Sequence, residues 1–209
     1  MRQINLEELK EIADASRDDL YDEARSVGMD SPKIYLHWTA GHYWQTFDDY
    51  HINIDGDGVI YASTDDLSEV LEHTYKRNTG GVGVAICGCW GAGSNGLGSE
   101  PPTEKQIEVM AQVIATLANG LWLTIDKKHV MTHGEAANNE DGLSPHKPYA
   151  WWNDGYDDGD TRGDLEYLGT PESPKYNPKT TDGSRGGDVL RGKANWYRQQ
   201  WIKEAQKCE

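Results

Sequence analysis

Residues 80–90, GGVGVAICGCW, carry no charged side chain and set glycine against valine before ending on small and aromatic residues. Such a run fits a strand buried on both faces, with glycines that let neighbouring atoms approach its backbone closely. A strand covered on both sides needs other elements packed against its sheet, so the rest of the chain must supply helices.

Residues 5–27, NLEELKEIADASRDDLYDEARSV, space Leu6, Leu9, Ile12, Ala13, Leu20, Ala24 and Val27 by threes and fours, which predicts one broken or two short amphipathic helices stopped at Gly28. The clearest helix follows PPTEKQ. Thr103 caps it with Gln106 three residues on, Ile107, Met110, Val113, Ile114 and Leu117 form its stripe, and Gly120 ends it. The tail DVLRGKANWYRQQWIKEAQ returns to helical periodicity.

Shorter segments read as strands. KIYLHW puts Ile34 and Leu36 on one face and Tyr35 and His37 on the other. DYHINIDGDGVIYAS reads as a hairpin about the DGDG turn. HVMTHGE reads as a strand ending in His133. The expected fold is α/β, a single domain with a central mixed sheet flanked by helices. Residues 31–170 form its body, with a helical extension over 1–30 and a C-terminal loop and helix over 171–209. The long stretch 134–188, rich in Asn, Asp, Gly, Pro, Tyr and Trp, reads as a functional loop or lid.

The net charge of −15 argues against nucleic acid and anionic membrane as partners, since a phosphate lattice rewards clustered Lys and Arg and the basic residues here are scattered. No run approaches the roughly 20 apolar residues of a membrane helix. Three cysteines are too few for a disulfide framework, and Cys87-x-Cys89 is tighter than a zinc hairpin, so this pair reads as small core residues. The DGDG turn lacks the downstream glutamate of a calcium loop.

His37 and His133 each close a short apolar segment before a loop. On neighbouring strands, both imidazoles would emerge at one sheet edge, where a metal such as zinc is readily bound, with carboxylates abundant downstream in YDDGDTRGDLEYLG. Two histidines and one aspartate leave a coordination position open for water.

The succession YLHWTAG, YHINIDGDGVIY, RNTGGVGVAICG, PPTEKQIEVMAQVIATLA, MTHGEAA and GDTRGDLEYL resembles the zinc-dependent N-acetylmuramoyl-L-alanine amidases, which share their fold with the peptidoglycan recognition proteins. The resemblance spans residues 33–168. It implies a catalytic domain over 31–170 holding Zn2+ through His37, His133 and Asp160, with Asp158 as the other reading of the third ligand. Tyr50 and Glu135 match catalytic or ligand-supporting positions. His73 matches a position in the loop lining the substrate groove and Asn78 begins the strand landmark beside it; with Arg162 these are the expected substrate-binding residues, Arg162 and Arg77 because guanidinium forks suit substrate carboxylates. Ala85 stands where some members have a glutamate, and a lysine some carry before the third ligand is missing.

The expected activity is cleavage of the amide between N-acetylmuramic acid and L-alanine in peptidoglycan, in a monomeric phage or prophage endolysin that stays in the cytoplasm until released to the wall. The alternatives are a non-catalytic peptidoglycan-binding module of the same fold, or a secreted or recycling amidase with the same chemistry. The tryptophans and tyrosines Trp38, Tyr43, Trp44, Trp90 and those of WWNDGY at 151–156 are available to wall a groove against sugar and peptide.

Overall fold

A computed structural model describes residues 1–93, 96–137, 140, 163–177, 180–182 and 184–207. The described elements run β1 (Arg2–Ile4), α1 (Leu6–Ser26), β2 (Lys33–Trp38), β3 (Ile52–Ile54), β4 (Ile60–Ala62), β5 (Gly81–Ile86), α2 (Glu104–Gly120), β6 (Val130–Thr132), α3 (His133–Ala137), β7 (Lys175–Asn177), β8 (Thr180–Asp182) and α4 (Gly186–Lys207). The first six strands make one mixed sheet in the order β1-β4-β3-β5-β2-β6. Strands β3, β5, β2 and β6 are paired in parallel, while β4 lies antiparallel between β3 and the edge strand β1. β7 and β8 pair separately.

The four parallel strands present their C-terminal ends at a common edge. In open α/β sheets, that edge is where ligands bind. The register places His37 beside Ala85, and Ala85 beside Asn53. β6 stops at Thr132 and the next residue, His133, opens α3, so the second histidine begins a helical turn rather than ending a strand.

Helix α1 is continuous over 21 residues, unlike the broken helix that its polar middle suggests. Ser16, at that middle, is buried. Its hydroxyl donates to the Ile12 carbonyl and its oxygen accepts from the Leu67 amide, so the polar residue is absorbed without a break. Capping boxes start both α1, at Asn5 with Glu8, and α2, at Thr103 with Gln106. The Gln106 amide also donates to the carbonyls of Ile54 and Cys87, pinning the start of α2 over the ends of β3 and β5. Strand β1 lies within the first residues, where sequence alone gives only the helix after it: three residues are too short for a pattern, and pairing with Ile60–Ala62 fixes them.

The two sheet faces differ in chemistry. Ile34 and Leu36 join the large apolar core with Leu9, Ile107, Met110 and Ile114, which is the helix-covered face. Tyr35 packs with Met131 and Ala136 on the other, where His37, His51 and His73 also gather. Thus the alternation in KIYLHW separates an apolar core from a buried layer of imidazoles.

Glycine in β5 serves that layer. A Cβ built at Gly83 would come within 2.6 Å of His73 Cγ, so the ring of His73 occupies the space a side chain would need. The Gly83 amide donates to Nδ1 of His51 at 3.0 Å. A Gly83→Ala substitution should lower stability by about 1–3 kcal/mol through overpacking, measured by denaturant unfolding; an unchanged midpoint would show that His73 yields freely.

Candidate metal centre

Three side chains meet at the C-terminal edge of the parallel strands. Oδ2 of Asp164 lies 3.0 Å from Nδ1 of His37 and 3.3 Å from Nδ1 of His133, and the two rings stand 4.8 Å apart at 74°. Each residue is buried. Among the described residues this is the group of His, Cys, Asp and Glu able to hold a metal ion, with ligand atoms within 4.8 Å of one another.

Different elements bring the three together. His37 is fixed in β2 between β5 and β6. His133 starts α3. Asp164 comes from a turn closed by the Glu166 amide on the Gly163 carbonyl, and Leu165 in that turn has a φ of 60°. A positive φ is costly for leucine, and such strain persists where the surroundings over-determine it. Here Leu165 is fully buried and Gly186 presses on its carbonyl, where a Cβ would come within 2.0 Å. The start of α4 therefore holds the turn that aims Asp164.

Burial opposes ionisation of Asp164. The attraction of His133 and hydrogen bonds from His133 and His37 outweigh it and hold the carboxyl well below the usual carboxylate range. Two imidazole nitrogens and an ionised carboxylate oxygen, converging in a buried place, are the donor types zinc takes. The donor set fits a divalent ion.

Sequence reasoning places His37 and His133 correctly in one cluster but reads the Asp164-Leu165 pair only as the landmark from which to count back. Asp160, Asp158 and Arg162, with the aromatic residues of 151–156, lie outside the described residues. The sequence around Asp164, GDLEYL, sets the aspartate directly before a leucine that the fold buries.

The remaining candidates fall into distinct places. Tyr50 is half-buried beside His37, ring centroids 5.1 Å apart, and its hydroxyl donates to the Trp38 carbonyl at 3.4 Å. Glu135 is fully buried but turned from the histidines. It accepts from the Thr132 amide at 2.9 Å and from both Arg191 terminal nitrogens at 2.7 and 2.8 Å, tying α4 to the base of α3. His73 is buried behind His37, its rings 5.5 Å apart, and burial with the neighbouring His37 and His51 pushes its pKa well down. Asn78 lies before the N-terminal end of β5, where its Oδ1 accepts from the Thr74 amide at 2.7 Å and so shapes the loop under His37. Arg77 is buried in the same loop. Cys87 and Cys89 are buried free thiols, each pushed by burial up to about 12.

Beyond the ends of β2 and β5, Gly41 and Cys89 form a further parallel bridge. His42 stacks there between Trp44, at 5.3 Å and 7°, and Trp90, at 4.5 Å and 21°. Glu100 fixes the loop by accepting from His42 Nδ1 and the Tyr43 amide, both at 2.6 Å. The two tryptophans remain 74% and 51% exposed, an aromatic surface on the same edge as the histidines.

The sequence profile of the Amidase_2 family, described as N-acetylmuramoyl-L-alanine amidase, matches residues 27–147. No curated protein matches the chain. Solved structures with some likeness include "Drosophila PGRP-LB wild-type", 18% identical over 50% of this chain and 70% of that one with a TM-score of 0.38. Another is "Endolysine N-acetylmuramoyl-L-alanine amidase LysCS from Clostridium intestinale URNW", 21% identical over 49% of this chain and 68% of that one with a TM-score of 0.37. The profile match takes in β2 to α3, with both histidines of the cluster, and covers more than half of the 209 residues; the chain belongs to the N-acetylmuramoyl-L-alanine amidase family.

Proposed function

We propose that this protein is a zinc hydrolase that cuts the amide between N-acetylmuramic acid and L-alanine in bacterial peptidoglycan, and that His37, His133 and Asp164 hold the metal. The observation that carries the reading is the convergence of two imidazole Nδ1 atoms on one buried, ionised carboxylate within a chain of this family. When bound, zinc supplies Lewis acidity, activating water at neutral pH and polarising the amide carbonyl. Two neutral imidazoles and one carboxylate leave a net charge of about +1 with the ion, which preserves that acidity.

The chain's own side chains then orient substrate and handle protons. Tyr50, next to His37, is positioned to turn its hydroxyl from the Trp38 carbonyl toward a substrate carbonyl oxygen and donate to the charge that develops there. The leaving amine needs a proton. Of Tyr50, His73 and Glu135, the last two are buried with their polar atoms bonded inside the fold, so the proton duty falls to Tyr50. We assign Glu135 the role of anchoring α4 and His73 a place beneath His37. Trp44 and Trp90 offer exposed faces to sugar rings along the strand edge. No described helix is long and apolar enough to cross a membrane. An endolysin held inside the cell and released to the wall remains the biological setting we favour.

Muropeptide digestion tests the reading: zinc-loaded protein should release free stem peptides and peptide-free glycan strands from purified sacculi, whereas binding without release would favour a non-catalytic module. Tyr50→Phe should lower kcat about 10²–10³-fold, the cost of losing one donor to a developing oxyanion, with zinc content retained; an unchanged kcat would remove Tyr50 from the chemistry.

Metal content after dialysis separates the aspartates. Asp164→Asn should lose zinc while Asp160→Asn keeps it, and the opposite pattern would move the third ligand. The pH dependence follows from Asp164. Its folded pKa is depressed, so the carboxylate is ionised throughout the neutral range and its protonation does not compete with metal there. The Asp164 carboxyl carbon should therefore show no titration step between about pH 5 and pH 8 in 13C spectra; a step within that range would contradict this.

A further inference from the structure

Behind His37 runs a chain of polar atoms that the amide cleavage does not use. Nε2 of His37 lies 3.2 Å from Thr74 Oγ1, which lies 2.9 Å from His73 Nδ1. Nε2 of His73 lies 3.2 Å from the Gly81 carbonyl oxygen. The order of protons along this chain is fixed by its last atom.

A carbonyl oxygen only accepts, so His73 carries its proton on Nε2. His73 is buried between the rings of His37 and His51, where a second proton would place an unanswered charge, so its Nδ1 presents a lone pair. The single Thr74 hydroxyl proton satisfies that lone pair. Oγ1 of Thr74 is then the acceptor for His37, and the proton of His37 sits on Nε2. What remains facing Asp164 and His133 is Nδ1, the atom 3.0 Å from the carboxylate; the proton shared across that contact in the metal-free protein is the one a metal ion displaces, while the Nε2 proton stays.

The relay is held from several sides. The Thr74 amide donates to Asn78 Oδ1 at 2.7 Å. The ring of His73 lies on the bare backbone of Gly83. His51 is set independently, accepting from the Gly83 amide on Nδ1 and donating from Nε2 to the Glu69 carbonyl at 2.8 Å, so it takes no proton from His73.

We infer that Thr74 and His73 are positioning residues: acting through the Gly81 carbonyl, they hold His37 as its Nε2-protonated tautomer and make Nδ1 its metal-binding atom. Metal ligands of this kind depend on the partner of their second nitrogen for orientation and basicity. The inference rests on the metal reading above but not on the reaction. Protein that binds zinc through Nδ1 of His37 and cleaves no muropeptide would contradict the amidase reading and leave the relay intact.

Long-range 1H–15N spectra of the zinc-loaded, 15N-labelled protein decide the matter. His37 and His73 should each show a proton on Nε2 protected from exchange, and His37 should show a metal-shifted Nδ1. Thr74→Val keeps the shape and removes the hydroxyl. It should expose the His37 Nε2 proton to exchange and weaken zinc binding about 10–100-fold in chelator competition, and Thr74→Ser should restore both. A zinc-loaded His37 protonated on Nδ1 would overturn the inference, as would a folded Thr74→Val protein with unchanged zinc affinity. The wild-type spectrum serves alone if the valine variant does not fold.

Discussion

A carboxylate buried between two imidazoles is the constraint around which this fold is arranged. Removing a charge from water costs several kcal/mol even after relaxation, and Asp164 nevertheless stays ionised because His37 and His133 both face it. Holding that meeting requires three separate commitments of backbone: β2 wedged between two parallel neighbours, a helical turn that starts immediately after β6, and a loop residue with positive φ locked by the start of α4. None of these would be stable alone. Each borrows rigidity from the apolar core on the opposite sheet face.

That division of faces links packing to chemistry. The helix-covered face is filled by Ile, Leu, Val and Met and supplies the burial that drives folding. The other face trades apolar contact for a layer of histidines whose nitrogens are bonded to threonine, carbonyl and amide partners, so the polar atoms are satisfied and the rings are ordered. Gly83 makes the trade possible by leaving its face open to His73. Ion pairs on the far side of the site, Arg191 with Glu135 and Arg185 with Glu166, fasten α4 against the segments that carry His133 and Asp164.

Much of this was legible in the residues. Two-residue alternation in KIYLHW, the hairpin at DGDG, the Gly-Val strand and the capped helix after Thr103 are local signals, and each element forms where its own pattern predicts. The pairing of His37 with His133 was also within reach, since both end apolar segments that a parallel sheet brings to one edge. What escaped depended on tertiary contact. β1 exists because β4 offers it a partner, α1 is unbroken because Leu67 meets Ser16, and Asp164 points inward because Gly186 lets α4 close on Leu165. Glu135 shows the same limit: spacing put it two residues from His133, while the position of Arg191, 56 residues away, decides where its carboxylate turns.

The most direct test of the account is a crystal structure of the zinc-loaded protein with anomalous data at the zinc edge. A single strong anomalous peak bonded to Nδ1 of His37, Nδ1 of His133 and a carboxylate oxygen of Asp164 is the expected result. A peak ligated through Nε2 of His37, or completed by Asp160 with Asp164 turned away, would contradict it.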